Sequence, residues 1–137
     1  MQRKAAEAIG DEMAKLGESV IVDTHCAIKS PAGFLPGLPF EVLQKLRPDA
    51  IVLREVDAAS IVERRNKDRE SGVRAKRDEE EISSIQLHQD INRSYAAAYS
   101  AISGATLTIA VDKKVESFEF ENAALVARAV IDIFQFR

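Results

Sequence analysis

A chain of 137 residues, 46% of them hydrophobic and 30% charged, is long enough for one compact domain with its own core and too short for two ordinary ones. The formal net charge of -3 excludes a general nucleic-acid or anionic-membrane binder, so any basic site must be local. The single cysteine, Cys26, excludes an internal disulfide and suits a reducing compartment; no stretch is long and apolar enough to span a bilayer, and the chain reads as cytoplasmic.

The opening segment MQRKAAEAIGDEMAKL places Ala5, Ile9, Met13 and Leu16 at helical spacing, which is an amphipathic helix pattern and not the apolar core of a signal peptide. Gly17 supplies its stop. Ser19 to Val22 reads as a short buried strand, ending at Asp23, Thr24 and His25, and a loop with Lys29 among Pro31, Gly33, Pro36, Gly37 and Pro39 follows. Pro39 to Leu46 reads as a helix that Pro48 ends, and Ala50 to Val56 as another strand. Asp57 is placed to cap a helix carrying Ile61 and Val62. Between Arg64 and Arg77 seven Lys or Arg residues face only Asp68 and Glu70, and the acidic run Asp78 to Glu81 follows, so the stretch reads as a mobile, solvent-facing excursion. From Ile82 to Ser103 the apolar positions Ile82, Ile85, Ile91, Tyr95, Tyr99 and Ile102 fall mainly on one helical face, with Gly104 as the stop. Thr106 to Val111 is a further strand, and Phe120 to Phe136 a closing helix. Strands alternating with helices imply an α/β fold with right-handed crossovers and a parallel sheet covered on both faces.

In open α/β sheets, ligands bind beyond the carboxyl ends of the strands, which directs attention to Asp23. It caps a turn, or it is a Walker-B-like carboxylate holding a water of Mg²⁺ beside a nucleotide phosphate. His25 and Cys26 are adjacent, yet no second pair stands at zinc-ligand spacing, so His25 reads as a hydrogen-bonding group in the crevice. Lys29 is either a solvated loop lysine or part of a wall fixed by the surrounding prolines and glycines. Arg64, Arg65, Arg69, Arg74 and Arg77 are either a solvated helix face or a set of guanidinium forks matched to phosphate oxygens. In HQDINR, His88 to Arg93, Gln89 and Arg93 share a helical face, and Arg93 stands on the helix returning from the arginine-rich excursion.

These residues resemble a known family. VDTHCAIKSPAGFLPGLPFEVLQKLRPDAIVL, then ERR, an arginine-rich lid ending in RD, LHQDINR and SGATLTI are similar, in order, to the motifs of the archaeal-type adenylate kinases. Ser30 replaces the family's Thr and Phe34 its Tyr. The likeness covers nearly the whole chain after Gly17. It implies a nucleoside monophosphate kinase fold of the P-loop NTPase type, three-layer α/β/α, and phosphoryl transfer from ATP to AMP giving two ADP with Mg²⁺. By the same resemblance Asp23 would organise the metal's water shell, and the loop from His25 to Pro39, with Lys29, would line the AMP side. Arg64 and Arg65 would contact nucleotide at the base of a lid at about 64–81, and Arg74, Arg77 and Arg93 would close on the phosphates as the catalytic arginines.

The departures shape the expectation. The lid is longer than the family pattern, and its arginines are spaced differently. None of the six glycines is followed by Lys, so the G-x-x-x-x-G-K-[ST] phosphate loop, the strand before it and the AMP-binding arm of the family are not matched. The chain is therefore read as the carboxyl-terminal part of an adenylate kinase: one incomplete kinase core domain over 1–137, its sheet missing the central first strand, with little or no activity alone. The alternative is a non-catalytic nucleotide- or phosphate-binding module, or a subunit that needs a partner. A homo-oligomer is compatible with the family, which includes trimers.

Overall fold

The computed structural model of the protein describes residues 2–70, 82–112 and 119–135. Among them the chain forms, in order, α1 (Gln2–Leu16), β1 (Ala27–Ser30), β2 (Gly33–Pro36), α2 (Phe40–Leu46), β3 (Ala50–Glu55), α3 (Ala58–Glu70), α4 (Ile82–Ser103), β4 (Thr106–Val111) and α5 (Glu119–Gln135). Two compact units divide it, residues 1–51 with 91–107 and residues 52–90 with 108–137.

In the first unit, α1 ends where Gly17 turns left-handed at φ 63°, a conformation that costs a glycine little. The helix packs on α2, and the backbone of Gly10 faces Lys45. The carbonyl of Pro39 accepts from the amides of Val42 and Leu43, which starts α2 and buries both side chains. Arg47 ends α2 in the left-handed region, its amide donating to the Leu43 carbonyl at 2.9 Å. Between the helices, β1 and β2 form an antiparallel hairpin with Ala27 opposite Pro36, Ile28 opposite Leu35, Lys29 opposite Phe34 and Ser30 opposite Gly33. The carboxyl half of α4 brings Ala96 and Tyr99 into this unit's core, with 0% and 4% of their surface exposed.

In the second unit, Asp57 caps α3 as its position predicts: the Ser60 amide donates to the Asp57 carboxylate at 3.0 Å. Leu53, Ala58 and Ile85 are buried there. β3 and β4 pair with each other. Thr106 N–H donates to the Asp49 carbonyl in the first unit and Asp112 N–H to the Glu55 carbonyl in the second, so the strands run parallel. The fold is α/β with a parallel strand pair, as the alternation of elements implies.

Two expectations are corrected. Ser19 to Val22 is not a strand: residues 17–25 carry no regular structure, and Ile21 is 77% exposed. A strand exists only by pairing, and β1 and β2 bond to each other, as do β3 and β4. The Lys29 segment, read as an irregular loop, is the hairpin. Of the lid expected at about 64–81, residues 64–70 continue α3, and 71–81 lie outside the described residues.

Candidate functional site

The first unit builds its candidate surface around the hairpin. Its two-residue turn, Pro31 and Ala32, is braced by the Ser30 hydroxyl donating to the Gly33 carbonyl at 2.9 Å, and Gly33 adopts φ 125°, a conformation that L side chains rarely take. At the open end, Gly37 N–H donates to the Cys26 carbonyl at 2.9 Å. The approach is so close that a Cβ on Gly37 would collide with the backbone carbonyl of His25. Only glycine closes the hairpin this tightly.

Helix α4 holds that closed end. The Tyr99 hydroxyl donates to the Cys26 carbonyl at 2.9 Å and accepts from the Leu38 amide at 3.3 Å. One turn back, the Tyr95 hydroxyl donates to the Phe34 carbonyl at 3.1 Å, and its ring stacks on Tyr99 with centroids 5.8 Å apart. The Cys26 thiol donates to the Asn92 carbonyl at 3.2 Å. Burial pushes the Cys26 thiol above its ordinary pKa, against a smaller lowering from the Ala96 backbone, so it is a poor nucleophile at neutral pH. Burial likewise raises the Tyr99 phenol. The Oδ1 of Asn92 is buried without a hydrogen-bond partner.

The residues singled out in the sequence take their places around this frame. Asp23 and His25 are exposed in the segment leading into β1, and Lys29 is exposed on β1. Arg93 is exposed on α4, next to Asn92. Asp23 stands in a loop, not on a strand tip. Among the described residues no three His, Cys, Asp or Glu side chains are grouped to hold a metal ion.

The second unit carries Arg64, exposed, and Arg65, half-buried, on α3 behind the Asp57 cap. Where β3 ends, Gln89 of α4 donates its side-chain amide to the Val56 carbonyl, so this member of the HQDINR motif holds backbone. Arg54 clamps Asp112 with two bonds, Nε to Oδ1 at 3.0 Å and Nη2 to Oδ2 at 2.7 Å. The carboxylate side chain is 3% exposed and the guanidinium side chain 48%. Asp112 in turn raises the Arg54 pKa, through that hydrogen bond first. Arg74 and Arg77 lie outside the described residues.

Asp23, His25, Lys29 and Arg93 thus belong to one unit, and Arg64 and Arg65 to the other. Sequence reasoning missed the tyrosine contacts and the glycine closure. The available signal was chemical: tyrosine at a buried helical position brings a hydroxyl that must find a partner.

A model of the family described as an AAA domain matches residues 1–83, and the chain belongs to that family, a P-loop NTPase class. Within the class its relatives are archaeal adenylate kinases. The chain is 43% identical over 132 residues to the adenylate kinase of Methanothermobacter thermautotrophicus, covering 96% of this chain and 66% of that protein. It is 50% identical over 109 residues to that of Methanopyrus kandleri, covering 80% and 55%, and 43% identical over 109 residues to that of Pyrococcus furiosus, covering 80% and 53%. The likeness drawn from the motifs is borne out. The chain spans between about half and two thirds of the length of these curated relatives.

Proposed function

We propose that the chain works as part of an adenylate kinase, catalysing reversible phosphoryl transfer from ATP to AMP to give two ADP. The observation that supports this most strongly is the 43% identity that extends over 132 of its residues. In this reading the hairpin and its approach, with His25 and Lys29, line the AMP side. Arg64 and Arg65 meet nucleotide at the root of the lid, and Arg74, Arg77 and Arg93 close on the transferring phosphoryl group.

Phosphoryl transfer asks the protein for position and charge, not for a covalent partner. Guanidinium groups offer paired donors to the equatorial oxygens, where charge is spread in the transition state. Mg²⁺ supplies further neutralisation of the phosphates when bound, with Asp23 accepting hydrogen bonds from its waters. Closure of a lid keeps water from taking the phosphoryl group. No helix among the described residues is long and apolar enough to cross a membrane.

The test is ADP formation by the full-length kinase that carries this chain, measured in a coupled assay with ATP and AMP varied separately. AMP-dependent turnover that requires Mg²⁺ and falls at least tenfold in Arg93→Ala supports the reading; a loss of that size is what one transition-state contact of roughly 1.4 kcal/mol supplies. Calorimetry of ATP and AMP against the same chain is the companion measurement. Nucleotide binding without turnover points to a non-catalytic nucleotide-binding module instead.

A further inference from the structure

We propose that Tyr99 and Tyr95 are positioning residues that hold the β1–β2 hairpin in its nucleotide-binding conformation through their hydroxyl groups. This rests on the adenylate kinase reading for the identity of the ligand, and on hydrogen-bond geometry for everything else.

Tyr99 sits at the neck of the hairpin. The Cys26 carbonyl there accepts from two donors, Gly37 N–H and the Tyr99 hydroxyl, each at 2.9 Å, so both of its lone pairs are used. The same hydroxyl accepts from Leu38 N–H at 3.3 Å. One buried phenol therefore ties the chain entering the hairpin to the chain leaving it. Tyr95 acts further along. Its hydroxyl donates to the carbonyl of Phe34, and Phe34 is the residue opposite Lys29 in the ladder. Tyr95 thus anchors the strand that pairs with Lys29. Among the described residues each four-residue strand pairs with the other alone, which is marginal by itself, so the hairpin depends on outside anchors for a fixed shape.

A core role alone would ask only for the rings, which stack at an interplanar angle of 23°. Phenylalanine would do as well. The hydroxyls fix three backbone groups, the Cys26 and Phe34 carbonyls and the Leu38 amide, at the segment whose His25 and Lys29 are exposed.

Tyr99→Phe and Tyr95→Phe keep ring volume and stacking while removing the hydroxyls, so both variants retain the core. Two readouts separate the possibilities. Amide hydrogen exchange at Gly37 and Leu38 reports the neck, and calorimetry with AMP and with ATP reports the ligand. The proposal expects exchange at Gly37 and Leu38 in Tyr99→Phe to quicken roughly fivefold, the equivalent of one ordinary hydrogen bond. It expects AMP affinity to fall by a similar factor while ATP affinity holds, with the loss in Tyr95→Phe showing in AMP binding but not in neck exchange. Unchanged exchange in Tyr99→Phe overturns the proposal. Faster exchange with AMP affinity unaltered also overturns it, since the hydroxyl is then only structural. If the unmodified chain binds neither nucleotide while exchange still quickens, the clamp stands and the adenylate kinase reading of its ligand falls.

Discussion

Two glycines of the hairpin need glycine for different physical reasons, and substitution should separate them. Gly33 has open space around a notional Cβ, but its φ of 125° strains any L side chain, so Gly33→Ala is expected to cost about 1–2 kcal/mol through the backbone alone. Gly37 meets the opposite limit. A methyl there would drive into the His25 carbonyl, whose backbone cannot swing aside without breaking the Gly37–Cys26 bond. Gly37→Ala should therefore cost about 3 kcal/mol or more, read as a lower urea midpoint. The Arg54–Asp112 pair gives a second contrast. Arg54→Ala strands a carboxylate whose side chain is 3% exposed, and because the arginine itself is 48% exposed the loss should be about 2 kcal/mol, below the roughly 3–5 of a fully buried pair. Asp112→Asn leaves an amide that still accepts, opposite an arginine that can turn to water, and should cost about half as much.

Helices were the most legible elements and pairing the least. The bounds of α1 follow from Ile9, Met13 and Leu16 at one face and the stop at Gly17, because helical periodicity is written locally. Thr106 to Val111 was equally plain, a run rich in β-branched residues after a glycine. Ser19 to Val22 has the same local character and still forms no strand, since pairing is decided by a partner that the segment does not encode. The hairpin was hidden by its prolines. Pro31 and Pro36 read as loop residues, yet one occupies the turn and the other ends β2 opposite Ala27. Of the candidate site, Asp23, His25, Lys29 and the arginines were visible by residue type, whereas the backbone acceptors gripped by Tyr95 and Tyr99 have no signature in side-chain identity. At this scale α1 also offers a gain. A Cβ on Gly10 would lie 3.5 Å from the Lys45 carbonyl oxygen, ordinary contact, so Gly10→Ala should add about 0.5–1 kcal/mol by lowering the entropy lost on forming the helix. A rise in the thermal midpoint with no change in the hairpin's amide exchange checks it.

For the molecule as a whole, a half-buried thiol and a buried phenol contribute to how stability responds to base. Burial raises the folded-state pKa of both Cys26 and Tyr99. A group that holds its proton more tightly when folded contributes its full stability below its unfolded pKa, and that contribution disappears as pH climbs through the folded value. Unfolding free energy should be level with respect to these two groups at neutral pH and decline above about pH 8.5, where an unfolded thiol begins to ionise. In Cys26→Ala combined with Tyr99→Phe the alkaline decline should be shallower, measured as urea midpoints from pH 7 upward.

The unladdered run after Gly17 bears on how the protein behaves in a test tube. Three successive β-branched aliphatics, Val20, Ile21 and Val22, join no ladder among the described residues, and Ile21 presents 77% of its surface to solvent. Such a tripeptide is a template for strands from other molecules. Concentrated samples should cloud on standing. A lysine at position 21 would act as a gatekeeper there, and light scattering over days would register the difference.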